Sequence, residues 1–214
     1  MRIESRTVGP FAENCYLVID EGSGRAVLID PGDEGSRIIE MVADSGASLD
    51  AIWLTHAHLD HIGAVNDVRA HYTVPVYLHP LDLPYYERLS AHAAKMYGLP
   101  WDQPEAVPVP MADGDTMECG TLTFSVMHVP GHAPGQVSFN GHGVALSGDL
   151  LFAGSIGRTD LPLSDPYAMD ASLEQFASLP ASSVVYPGHG PTTTIGKEIE
   201  TNPFLSGRAR TVKR

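Results

Sequence analysis

Thr55-His56-Ala57-His58-Leu59-Asp60-His61-Ile62-Gly63 packs three histidines and an aspartate into six residues. Imidazole nitrogens and a carboxylate all carry lone pairs, so crowding them is costly unless positive charge sits among them; a metal ion answers that need. Asp50 to Leu54 reads as a short apolar strand running straight into the motif. Leaving a strand with a period of two, His56 and His58 point the same way, while Asp60 and His61 open a new element at another angle. One segment thus offers two ligand pairs, His56 with His58 and Asp60 with His61, to two neighbouring ions.

Downstream, Ile62, Val65, Val68 and Tyr72 recur at helical spacing, so the motif joins a strand to a helix. Upstream, Ile3–Val8, Cys15–Ile19 and Arg25–Ile29 read as strands, the last two a hairpin across Glu21-Gly22-Ser23-Gly24. Asp30-Pro31-Gly32 ends the third strand, and Asp33 is expected to cap a helix with Ile38, Ile39, Val42 and Ala43 on one face, ending near Gly46. Beyond the motif come a strand at Pro75–Leu78 and a helix over Asp82–Tyr97, with Pro84 in its first turn. A proline- and glycine-rich surface loop is expected over 98–116. Then follow a strand at Thr121–Met127, a hairpin of Gln136–Phe139 and Val144–Leu146, a helix marked by Leu173, Phe176, Ala177 and Leu179, and a strand at Ser183–Tyr186. The tail from Lys197 reads as short helix with a basic end, Arg208, Arg210, Lys213 and Arg214. No linker divides the chain, so one domain over 1–214 is expected.

Composition narrows the partners. With 43% hydrophobic and 18% charged residues the chain has the makeup of a soluble globular protein. Thirteen basic residues against 26 acidic ones give a formal charge of -13, which disfavours nucleic acid as a partner. The start of the chain lacks a basic region followed by an apolar core, and no apolar run of about 18 residues exists, so neither a signal peptide nor a membrane span is expected. Two cysteines cannot build a disulfide framework, and a reducing cytoplasm is the expected compartment.

Three more points extend the motif. His132 lies in Pro130-Gly131-His132-Ala133-Pro134-Gly135, Asp149 closes Leu146-Ser147-Gly148-Asp149, and His189 lies in Tyr186-Pro187-Gly188-His189-Gly190-Pro191. Each follows an apolar strand and is framed by glycine, where backbone must turn tightly or approach something closely. Seven ligands suit two ions with one shared carboxylate.

In this order, His56-Ala57-His58-Leu59-Asp60-His61, His132, Asp149 and His189 resemble the metallo-β-lactamase fold hydrolases, over nearly the whole chain and including Asp30-Pro31-Gly32. The resemblance implies an α/β (α+β) fold, an αββα four-layer sandwich with the site at one edge. It implies one ion held by His56, His58 and His132, another by Asp60, His61 and His189, and Asp149 bridging them, with Asp60 and Asp149 as the catalytic carboxylates. Within that superfamily, Gly148 to Asp160 and Thr201-Asn202-Pro203-Phe204-Leu205 look like glyoxalase II, the hydroxyacylglutathione hydrolases. Arg158 stands nine residues after Asp149, where that pattern carries a basic residue that contacts the thiol-bearing substrate; the alternative for Arg158 is a surface ion pair. Glyoxalase II enzymes usually continue into a helical C-terminal region with further glutathione contacts. This chain stops at Arg214, so it resembles the compact bacterial and archaeal glyoxalase II-like proteins.

The expected chemistry is hydrolysis of a small-molecule thioester, S-lactoylglutathione or a relative of it, to a hydroxy acid and a thiol. Two ions about 3.5 to 4 Å apart hold a hydroxide between them, with the pKa of bound water brought toward about 7. The attacked carbonyl's oxyanion meets positive charge already in place. Zinc is the first expectation, and iron or manganese also suits a set without cysteine. Asp30 and His128 are expected to orient ligands or loops rather than bind metal. His71 and His79 read as packing or hydrogen-bonding residues, His92 and His142 as surface ones, and Cys15 as a small buried hydrophobe. The rivals are persulfide dioxygenation by one iron, suggested by Gly157-Arg158-Thr159-Asp160, and a non-catalytic metal-binding protein of the same fold. Flavodiiron-type oxidoreductases carry glutamate where His58 stands.

Overall fold

The computed structural model describes residues 1–209 and Thr211; Arg210, Lys213 and Arg214 of the basic end lie outside the described residues. A first six-stranded sheet runs in chain order, β1 (Arg2–Val8), β2 (Glu13–Asp20), β3 (Arg25–Ile29), β4 (Ser48–Trp53), β5 (Val76–Leu78) and β6 (Val109–Pro110). Its first three strands are antiparallel and the rest parallel. The parallel part needs crossovers, supplied by α1 (Gly35–Ser45), by α2 (Leu59–Ile62) with α3 (Val65–His71), and by α4 (Ser90–Tyr97). The second sheet holds β7 (Thr116–Cys119), β8 (Leu122–His128), β9 (Val137–Gly141) and β10 (Val144–Gly148), and, beyond the small hairpin of β11 (Leu151–Phe152) and β12 (Ser155–Ile156), β13 (Val184–Pro187) and β14 (Thr193–Thr194). Its spatial order is β14-β13-β10-β9-β8-β7, with α5 (Pro166–Phe176) and α6 (Ile195–Thr201) on its side of the molecule.

Side-chain alternation turns these sheets into layers. Along β2, Cys15, Leu17 and Ile19 face the helices, while Tyr16 and Val18 face the other sheet. β4 repeats this, with Leu49 and Ile52 on the helical side and Ala51 and Trp53 between the sheets. Trp53 packs on Phe139 and Phe124 across the intersheet core, at ring-centroid distances of 5.2 and 5.8 Å. Each such aromatic side chain contributes roughly 1.5–3 kcal/mol through burial alone. α5 covers the outer face of the second sheet with Met169, Leu173 and Phe176. The architecture is therefore the αββα sandwich.

Several local expectations need correction. α1 starts one residue later than read, after Glu34, and its buried face is Ile38, Met41 and Val42, with Ala43 exposed. The helix expected over Asp82–Tyr97 is continuous from Leu83, but it follows a 3-10 turn at Pro80–Asp82 and is wound as a π-helix at Tyr85–Leu89 before α4. The loop over 98–116 contains β6 and leads into β7, whose short edge strands carry too little periodicity to announce themselves. The second hairpin closes tightly at His142-Gly143, both in the left-handed region, and not over four residues. Helix α5 ends at Phe176, before Ala177 and Leu179.

Candidate metal centre

All seven proposed ligands converge at one edge of the sandwich, two from the turn after β4, two from helix α2 that follows it, and three from the turns after β8, β10 and β13. His56, His58 and His132 form one group of mutually close donor atoms, and Asp60, His61 and His189 another. Asp149 lies between them: its Oδ2 is 3.3 Å from His132 Nε2 and 3.5 Å from His189 Nε2, and its Oδ1 is 3.5 Å from His61 Nε2. Asp60 Oδ2 stands 3.3 Å from His189 Nε2.

Four of the imidazoles are aimed by a contact at their other nitrogen. Nδ1 of His56 meets Thr55 Oγ1 (3.0 Å), that of His61 meets Asp30 Oδ2 (3.0 Å), that of His132 meets the Arg158 carbonyl (2.8 Å) and that of His189 meets the Phe11 carbonyl (3.1 Å). Such contacts leave Nε2 facing inward and fix each ring's orientation. Asp30 also accepts from the Thr55 N–H (2.7 Å) and Thr55 Oγ1 (2.5 Å), from a left-handed backbone position that swings its carboxylate beneath the motif. His128 touches no ligand: it bonds the Pro134 carbonyl (2.8 Å) and stacks on His79, so it braces the loop that carries His132.

The donors fit metal ions. His56 Nε2, His61 Nε2 and Asp149 Oδ1 are buried without a hydrogen-bond partner, and His58 Nδ1 faces His132 Nε2 at 2.8 Å. Burial, reinforced by neighbouring imidazoles, holds His56 and His58 well below the usual histidine range, so their lone pairs are free to coordinate. The second group is charge-paired. Burial disfavours charged His61, but Asp149 and Asp60 outweigh it and lift its pKa well above normal; the same carboxylates overcome burial at His189 and raise it to about 9. Burial would raise Asp149, yet His61 and His189 hold it well below the carboxylate range. Cationic charge is what these carboxylates demand, and unpaired buried lone pairs are what the imidazoles offer.

Glycine makes this approach possible. A Cβ on Gly188 would run into Asp149 Oδ1, and one on Gly32 into the Asp60 carbonyl oxygen.

Sequence reasoning passed over other participants. Asp82 is fully buried and accepts the Ala57 N–H at one oxygen (2.8 Å) and the Gly135 N–H at the other (2.5 Å), joining the two loops of the first ligand group. Ser90 bonds the Ala57 carbonyl (2.6 Å). Glu13, buried with neither carboxylate oxygen hydrogen-bonded, sits 3.9 Å from His61 Nδ1. None lies near the motif in sequence, and a lone acid or serine carries no local pattern.

A cleft of about 600 Å³ opens over the ligands. One side is built by Phe11, Tyr85, Leu89, Met96 and Tyr97, the other by Phe152, Ile156, Arg158, Leu161 and Pro162. Arg158 lies at the cleft with its guanidinium on Asp160 (2.7 and 3.0 Å).

Known proteins resemble this chain along its length. A hydroxyacylglutathione hydrolase, GloC, of Haemophilus influenzae is 34% identical over 222 residues, 98% of this chain and 100% of the relative. The crystal structure of TTHA1623 in a di-iron-bound form is 47% identical, with a TM-score of 0.88 over 94% of this chain and all of that one. That of the BLEG-1 B3 metallo-beta-lactamase is 38% identical, with a TM-score of 0.90 over 96% of this chain and all of that one. The sequence pattern of the Metallo-beta-lactamase superfamily matches residues 8–189, a span that holds all seven metal-facing side chains, and the chain belongs to that superfamily of metallo-hydrolases.

Proposed function

We propose that the chain hydrolyses thioesters with two divalent ions, S-lactoylglutathione being one candidate substrate. The observation that carries this reading is a ligand set for two ions at the floor of a largely apolar cleft that bears an arginine. The full-length similarity to a hydroxyacylglutathione hydrolase supports it. His56, His58 and His132 would hold one ion, Asp60, His61 and His189 the other, and Asp149 both. Bound there, such ions supply Lewis acidity that lowers the pKa of water toward about 7 and polarises a carbonyl. Zinc is the first reading of this imidazole-rich set, and iron is its direct rival.

The protein's own groups do the rest. Asp149 and Asp60, which line the cleft, orient the attacking water and relay its proton to the leaving thiolate. Tyr85 packs its ring edge on His58 (4.4 Å) and, through its hydroxyl on the Pro162 carbonyl, closes that end of the cleft against water. Arg158 holds His132 through its carbonyl and presents its guanidinium to the carboxylates of a thiol carrier; its exposed pairing with Asp160 is worth only about 0–1 kcal/mol and is readily exchanged. Cys15 and Cys119, buried and unpaired, accord with a reducing cytoplasm.

The test is metal content per chain together with hydrolysis of lactoylglutathione, and oxygen uptake with glutathione persulfide as the contrasting assay. Two ions per chain with thioester turnover are expected, and His58→Ala and Asp149→Ala should each lower metal content and turnover by about 100-fold or more. One iron per chain with oxygen consumption would replace this reading by dioxygenation.

A further inference from the structure

Met96 and Tyr97 are 74% and 57% exposed, yet they end helix α4 at the mouth of the cleft and not on an outer face. Tyr97 packs edge-on against Phe11 (5.4 Å), whose carbonyl orients His189, and Phe152 lies 5.9 Å from the same imidazole. At the other end, Leu89 adjoins the Tyr85 ring that covers His58. The polar tips are already taken by other lining residues: the Tyr85 hydroxyl goes to the Pro162 carbonyl, and the Tyr97 hydroxyl interacts with Arg158. Among the described lining residues, Arg158 is the one lysine or arginine, and Asp160 and Tyr97 already engage it. Solvent-exposed apolar side chains gathered around a polar centre mark a surface shaped for an apolar ligand, and methionine at the mouth adapts to chains of differing shape.

We infer that the acyl group taken by this cleft is an apolar chain of several carbons, selected by hydrophobic contact along Phe11, Leu89, Met96, Tyr97 and Phe152. The inference rests on the thioesterase reading and names the acyl half of its substrate. In the reaction, the oxygen of water forms a bond to the acyl carbon, the C–S bond breaks, and the sulfur leaves with the electron pair and a proton from that water. The products are a fatty or arylalkanoic acid and a free thiol.

The experiment uses the protein with its metals bound and a series of acetyl, butyryl, hexanoyl and lactoyl thioesters, each on glutathione and on the neutral thiol N-acetylcysteamine. Each added methylene buried in the cleft is worth about 0.8 kcal/mol, or about fourfold. From butyryl to hexanoyl kcat/KM should therefore rise roughly 15-fold on whichever carrier is accepted, and hexanoyl should exceed lactoyl. Met96→Ser and Tyr97→Ser, at exposed positions that tolerate polarity, should each flatten that slope. A slope that is flat or falling, or a preference for lactoyl, overturns the apolar-acyl inference while thioester hydrolysis stands. No hydrolysis of any thioester on either carrier by protein holding its metals overturns the thioesterase reading, and this inference with it.

Discussion

Asp82 carries one carboxylate oxygen for each of two loops, 25 and 53 residues away in the chain, and burial raises its pKa to about 6 against the pull of the two N–H donors. An acid whose folded pKa lies above its unfolded value of about 3.9 binds its proton more tightly when folded. Folding then takes up a proton between about pH 4 and 6, so stability falls as pH rises through that window and levels off above it. Asp82→Asn removes the titration. Over pH 4 to 7, wild-type stability should fall relative to the variant's by about 2 kcal/mol, on top of a constant loss of about 1–3 kcal/mol because asparagine offers one acceptor oxygen for two N–H groups. Urea unfolding of metal-free protein at several pH values checks this, metal-free so that acid release of ions does not imitate the effect. Parallel curves for the two proteins would refute it. At this scale the histidines and Asp149 were legible because ligand chemistry leaves a local signature of glycine and strand end; Asp82 and Glu13 were not, since their partners come from distant turns.

Among elements, the hairpin of β11 and β12 is too short to hold itself, with two residues per strand. Asn202, fully buried at the end of α6, donates to the carbonyls of Phe152 (3.3 Å) and Ser155 (3.0 Å) and to Glu198 (3.0 Å), while Glu198 accepts the Gly154 N–H (2.8 Å). This clamp fixes the strand that leads to Arg158, whose carbonyl aims His132. The stretch Thr201 to Leu205 was readable only as a resemblance, and its physical role is the clamp. Asn202→Ala strands two carbonyls and should cost about 2–3 kcal/mol. Amide hydrogen exchange over 151–158 should accelerate and metal affinity should drop; unaltered exchange there would show that the hairpin is held by other contacts. The π-helical winding before α4 was illegible for a related reason. A π-helical stretch at Tyr85–Leu89 keeps helical composition while changing which residues face the cleft.

In the whole molecule, the two sheets meet through one apolar core, and they meet again at the metal centre, where the first contributes His56, His58, Asp60 and His61 and the second His132, Asp149 and His189. Single strands were legible because those buried on both faces, such as β2, read as continuous apolar runs; the layering was readable only through the resemblance, and the sheet order was not, because pairing of β10 with β13 spans a helix and a hairpin. Ions held there would therefore act as cross-links between the halves, since they would bind a geometry that the unfolded chain lacks. Stabilisation by a ligand at about 1,000 times its Kd is about 4 kcal/mol per site. For a chain of this size, each kcal/mol shifts Tm by about 2–4 °C. Removal of the metals should accordingly lower Tm by at least about 10 °C, and readdition of a single equivalent should restore only part of it. The acidic chain sharpens the effect: with Asp60 and Asp149 inside a molecule of formal charge -13, a metal-free site leaves carboxylates balanced chiefly by His61 and His189, and by these only while they are protonated. The metal-free protein should lose further stability as pH rises through about 9, where His189 deprotonates, whereas the loaded protein should not. Differential scanning calorimetry of both forms across that range decides the matter, and identical Tm values with and without metal would show that the sheets are held together by the apolar core alone.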